Sequence, residues 1–207
     1  SAEFMILFKK SIIGFFIFQF FFFLLVWLLG NWNHKNGFTF WGLSYTSLKI
    51  RYAVIGITLG LVLYTIPYLI SLLLGIEFII KVPLWTDILK AGIPFSFGLI
   101  FSSFSEDILT RSTVFLLFKN KIKNGWIIII SSAIYLLNHI YRLNTGIETL
   151  TYLFLLGVLL IIPLIVTENL WITGFIHWSG NTFFFLSHDI ILTKSNPHYI
   201  SPNLIFI

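Results

Sequence analysis

The chain has 207 residues, 57% hydrophobic and 10% charged, with a mean hydropathy of +0.94, too few polar groups to cover a water-soluble domain. Its formal net charge of +5 comes from basic residues set between apolar runs, where they fix topology and meet anionic lipid rather than nucleic acid. The absence of cysteine excludes thiol catalysis, disulfides, iron–sulfur clusters and thiolate zinc sites.

In chain order, Ser1–Phe4 reads as a cloning scar before Met5, which leaves residues 5–207 as one integral-membrane domain. Lys9 and Lys10 precede an apolar run that is long enough to span and has no small-residue cleavage site after it, so a retained first helix is expected. Charge-free runs at 11–34, 52–76, 124–141, 149–167 and 169–188 each approach the ~20 residues that cross a hydrocarbon core. A sixth run, 91–118, is long enough but carries Glu106, Asp107 and Arg111. Unpaired backbone groups are costly in lipid and the alternation of a membrane barrel is missing, so the predicted fold is all-α, a polytopic bundle of about six spans. Residues 75–90 mix charged and apolar positions too closely to span and read as a connection or interfacial segment. The tail from 195, SNPHYISPNLIFI, carries two prolines and is expected outside the membrane as a loop or short docked segment.

Gly56 and Gly60 form a G-x-x-x-G pair, a spacing that lets two helices approach closely. The 24 phenylalanines read as lipid-facing and interhelical filling. With six spans, Lys9, Lys10, Lys81, Lys90, Arg142 and Lys194 share one side, and Lys35, Lys49, Arg51, Lys119, Lys121 and Lys123 the other. The loop charges balance and assign no orientation.

Ionisable groups inside a span cost several kcal/mol unless paired or facing a wet cavity, so each marks a candidate site. Glu106, Asp107 and Arg111 lie in the third span, His139 near the end of the fourth, His177 and Asn181 in the sixth, and Glu168 between two spans. On a helix Asp107 and Arg111 are about 40° apart and can pair, whereas Glu106 lies roughly 140° from Arg111 and faces elsewhere. His177 and Asn181 share a face, and Tyr135 stands one turn before His139 as a possible hydrogen-bond partner. Singly, each has a structural reading as an interhelical hydrogen bond or a clamp. Together, a carboxylate, two imidazoles and an amide on three helices supply a base, a proton carrier and oxyanion donors.

The order EDILTR at 106–111, YLLNH at 135–139 and HWSGN at 177–181 resembles the CAAX protease and bacteriocin-processing family of intramembrane peptidases. That family's pattern is Glu-Glu-x-x-x-Arg, Phe-x-x-x-His and His-x-x-x-Asn on successive core helices, here within a motif core of 91–188. Asp107 replaces the second Glu and Tyr135 the Phe; the first Glu, both His and the Asn are kept. The resemblance implies Glu106, His139, His177 and Asn181 as the catalytic set, with Asp107, Arg111 and Tyr135 in support.

The expected function is hydrolysis of a peptide bond in a membrane-associated protein or peptide, with Glu106 as general base on water, His139 holding that water or shuttling its proton, and His177 and Asn181 donating to the oxyanion. Asn181, one turn from His177, suits an oxyanion donor better than an outer partner of a metal ligand, so no cofactor is expected. The alternative is a zinc metalloprotease with Glu106, His139 and His177 as ligands. A further alternative is a non-catalytic membrane scaffold or immunity protein of the same fold. Neither H-E-x-x-H nor Gly-x-Gly-Asp occurs, and His-Trp-Ser-Gly at 177–180 only partly imitates a serine-peptidase motif. No inverted repeat points to a transporter. The abundance of Ile, Phe, Lys and Asn suggests a multi-pass protein of a bacterial cytoplasmic membrane, whose partners are the bilayer and its substrate.

Overall fold

The computed structural model describes residues 11–32 and 36–205, with the backbone alone at 143–145. The expected scar Ser1–Phe4 and the cations Lys9, Lys10 and Lys35 lie outside the described residues. Among the described residues six helices account for nearly all of the regular structure: α1 (Ile12–Trp32), α2 (Ile50–Leu73), α3 (Trp85–Phe118), α4 (Asn124–Asn138), α5 (Ile147–Thr167) and α6 (Leu170–Phe185). The protein is an all-α helical membrane bundle.

Helices α1, α2, α3 and α5 are long and apolar enough to cross a membrane, whereas α4 and α6 are shorter than the sequence runs suggest, at 15 and 16 residues. The end of α4 has a local cause. His139 Nδ1 bonds the Tyr135 carbonyl at 2.9 Å, taking the acceptor that the next helical N–H would use, and the chain turns into a 3-10 segment, Ile140–Thr145. Helix α6 sits inside the bundle against α2, α3 and α5, and a π-turn at Leu186–Ile190 continues it. Enclosed by protein, its backbone does not need the full thickness of the bilayer.

The third span begins at Trp85, earlier than the charge pattern suggests. The preceding residues are not a simple connection: Glu77–Lys81 forms strand β1, which pairs antiparallel with Leu192–Ser195, strand β2, Glu77 opposite Ser195 and Ile79 opposite Thr193. The tail continues from β2 and ends in a short 3-10 turn, Pro202–Ile205, that packs on α2 and α5. Asn203 Nδ2 donates to Thr149 Oγ1 at 3.0 Å, so the tail is docked, as its prolines suggested.

At the opposite end, the connection from α1 to α2 folds back onto the bundle. Trp41 Nε1 donates to the Val26 carbonyl, Ser112 Oγ to the Trp41 carbonyl and Trp171 Nε1 to the Ser44 carbonyl. Asn169 caps α6 by accepting from the Trp171 amide at 2.9 Å, and a Lys119–Glu168 ion pair ties the end of α3 to the α5–α6 turn. Beneath these contacts Trp41, Ile108, Ile127, Ile161, Leu164 and Leu170 form one buried apolar cluster.

Gly56 and Gly60 set the approach of α2 to α6. A Cβ on Gly56 would stand 2.6 Å from Phe175 Cβ and 2.9 Å from the Ile172 carbonyl, and one on Gly60 would strike Ser179 Oγ and the Ile176 carbonyl. The glycine pair therefore acts within the bundle, as a seam for its central helix.

Candidate active site

The long third span changes pitch where its charges lie. Trp85–Asp107 is α-helical, Ile108–Ser112 is a π-turn, and α-geometry resumes at Thr113. Thr113 Oγ1 donates to the Ile108 carbonyl five residues back at 2.8 Å, taking up an acceptor within the widened turn. The buried segment from Ser102 to Ser112 is thus unusually polar, and its side chains bond inward.

Asp107 and Arg111 are fully buried and paired. The guanidinium also donates to Thr110 Oγ1 at 3.0 Å and lies over the Tyr135 ring, its central carbon 4.5 Å from the ring centroid. The pairing expected from helical rotation is present, but Asp107 has a second partner that spacing along one helix does not reveal. His177 Nδ1 lies 2.9 Å from Asp107 Oδ1. A carboxylate only accepts, so the Nδ1 proton belongs to this bond and Nε2 is left to act.

Glu106 faces a different neighbour. Its Oε1 is 3.8 Å from His139 Nδ1, which is also bonded to the Tyr135 carbonyl. Tyr135 is therefore the hydrogen-bond partner of His139 through its main chain, and its ring packs on the imidazole at 4.7 Å. The His139 and Glu106 side chains keep 13% and 14% exposure, against 2% and 0% for His177 and Asp107. The two adjacent carboxylates are thus sorted by environment: Asp107 Oδ1 is held by Arg111 and His177, while Glu106 has His139 near its Oε1; among the described residues Glu106 Oε1 and Asp107 Oδ2 each lack a hydrogen-bond partner.

Asn181 lies one turn beyond His177 on α6 and donates from Nδ2 to Ser103 Oγ on α3 at 3.3 Å. Ser103, fully buried, escapes sequence reasoning because serine carries no signal alone, although it precedes Asp107 by one turn and shares its face. Two tyrosines were also missed. Tyr64 on α2 and Tyr152 on α5 meet at 3.3 Å between their hydroxyls, and Tyr64 lies within the electrostatic reach of Glu106. Ser179, by contrast, donates to the Phe175 and Ile176 carbonyls of its own helix and abuts Gly60 of α2, so it belongs to the helix seam. Glu168 is committed to Lys119 at the far end of the bundle.

Among the described residues no three His, Asp or Glu side chains are grouped to hold a metal ion. A cavity of about 800 Å³ lies between α1 and α3, lined by residues such as Phe16, Phe20, Phe101 and Phe104, and it shares no residue with the polar cluster.

Among the described residues, six bundled helices, four of them long and apolar enough to cross a membrane, make an integral membrane protein whose inner helices carry Glu106, His139, His177 and Asn181. Residues 89–183, which run from the first turns of α3 nearly to the end of α6 and carry all three motifs, match the family model described as Type II CAAX prenyl endopeptidase Rce1-like. Neither the curated proteins nor the solved structures yield a match.

Proposed function

We propose that the protein is an intramembrane endopeptidase in which Glu106 is the general base on water. The observation that supports this reading is the division between neighbours: Asp107 is fully buried against Arg111 and His177, whereas Glu106 keeps 14% exposure and stands 3.8 Å from His139. Glu106 takes a proton from water as the water oxygen bonds the scissile carbonyl carbon. The carbonyl oxygen becomes an oxyanion, which accepts from the Asn181 amide and from Nε2–H of His177 in its doubly protonated form. Collapse of this intermediate breaks the C–N bond, and the proton held by Glu106, passed by way of His139, leaves on the amine.

The substrate is a membrane-associated peptide or protein. The composition and small size of the bundle support a bacterial cytoplasmic membrane. Mass spectrometry of membrane peptides incubated with purified protein tests the reading. Peptides cut by the wild type and left intact by Glu106→Gln support it; cleavage that survives the substitution sinks the assignment of Glu106.

A further inference from the structure

Two serines near the charged turn of α3 bond in different directions. Ser105 Oγ donates to the Ser102 carbonyl within its own helix at 2.9 Å, whereas Ser103 Oγ, fully buried, accepts from Asn181 Nδ2 of α6 at 3.3 Å. Ser103 stands one turn before Asp107, and Asn181 one turn after His177. The Ser103–Asn181 and Asp107–His177 bonds are therefore successive rungs between the same two helices. The residues flanking Asn181 join α3 as well: Trp178 Nε1 donates to the Ser96 carbonyl at 2.8 Å, and the Thr182 and Ser96 hydroxyls meet at 3.1 Å. The backbone of α6 around Asn181 is thus held against α3 by bonds that do not involve Ser103.

We propose that Ser103 is the positioning residue of Asn181: it fixes the plane of the amide, so that one N–H of Nδ2 stays on Ser103 and the other is presented to the oxyanion. The proposal rests on the peptidase reading, in which Asn181 is an oxyanion donor. The torsion that turns an asparagine amide is broad, so the side chain has no strongly preferred plane of its own. Asn181 is only half-buried, and a turned amide would offer its carbonyl oxygen, an acceptor, where a donor is needed. Both N–H bonds of a planar carboxamide leave the same nitrogen, so a fixed acceptor for the first sets the direction of the second. Ser103 supplies that acceptor from a fully buried place on a helix already joined to α6 by other bonds. Its own bond therefore acts on the orientation of the amide.

Steady-state kinetics on a peptide cleaved by the wild type but not by Glu106→Gln test this. Ser103→Ala should lower kcat ~5–10-fold with KM nearly unchanged. Ser105→Ala, which removes a hydroxyl bonded within its own helix, should leave both unchanged. In an Asn181→Ala background Ser103→Ala should have no further effect, because no amide is left to orient. An unchanged kcat, a loss carried by KM, or equal losses in the two backgrounds overturns the proposal. Ser103→Cys, close in volume but a weak acceptor, should show the same pattern in smaller measure and serves if Ser103→Ala unfolds. A second arm needs no turnover. With isotopically labelled asparagine, the side-chain amide resonance of Asn181, identified by its loss in Asn181→Ala, should shift in Ser103→Ala and exchange its protons with water several-fold faster. An unmoved resonance overturns the proposal. A wild type without Glu106-dependent cleavage would instead remove the peptidase reading, and the resonance would then decide whether Ser103 holds the amide.

Discussion

Asp107 Oδ1 is shared between two buried side chains on different helices: it accepts from Arg111 of its own helix and from His177 Nδ1 of α6 at 2.9 Å. One carboxylate oxygen thereby ties the helix carrying the proposed base to the helix carrying the proposed oxyanion donors. Asp107 is a positioning residue with a structural burden as well.

Asp107→Asn should therefore damage both properties. Removing one partner of a buried ion pair strands Arg111, at a cost of ~3–5 kcal/mol, and frees His177 to rotate. Melting temperature and turnover should fall together. Replacing Asp107 and Arg111 together by neutral residues should recover part of the stability and little of the turnover, because His177 still lacks its acceptor. Full recovery of both would assign Asp107 to stability alone.

Asn181→Ala removes an oxyanion donor from the face it shares with His177. Turnover should fall by ~10²–10³ with substrate binding nearly unchanged. Weakened binding with turnover intact would make Asn181 a recognition residue. Steady-state kinetics separate the two outcomes.

Glu77 offers a pH test outside the membrane-spanning segments. Burial pushes its carboxyl up, but the hydrogen bond from His188 and that residue's charge outweigh it and hold the carboxyl below its usual value. His188 Nε2 lies 3.0 Å from Glu77 Oε1, so this pair anchors β1 to the end of α6. A depressed native value means the anchor's contribution is present above the ordinary carboxylate range, near pH ~4.3, and is lost as pH falls through the lowered value. The melting-temperature difference between wild type and Glu77→Gln should shrink as pH falls below about 4. A difference that grows on acidification would contradict the pairing.

Gly60→Val adds atoms where Ser179 and the Ile176 carbonyl leave no space. Overpacking of this kind costs about 1–3 kcal/mol, so the melting temperature should fall, whereas Gly125→Val, at an open position, should barely change it. Equal effects would show that the α2–α6 seam tolerates separation.

Much of this was legible in the sequence. Apolar runs gave the helices because lipid leaves few alternatives, and 100° per residue separated Glu106 from Arg111 while joining Asp107 to it. What stayed hidden depends on contacts between distant segments. The Asp107–His177 bond crosses 70 residues, and the Tyr64–Tyr152 contact crosses 88. Hydroxyls such as Ser103 matter through placement, which composition does not encode. The short α4 was missed because the apolar run continues through Tyr141, while the side chain of His139 ends the helix before it. Strand β1 was hidden for a related reason: its partner β2 lies in the tail, and neither strand has a pattern long enough to stand alone.

The central claim is that Glu106 supplies the base, and Glu106→Gln tests it most directly. The substitution keeps the side chain's shape and a hydrogen-bonding group but cannot take a proton from water. Turnover of the identified peptide should be abolished, while the detergent-solubilised variant melts within a few degrees of the wild type. A Glu106→Gln protein that unfolds, beside an Asp107→Asn protein that stays folded and inactive, would reverse the two roles and make Asp107 the base.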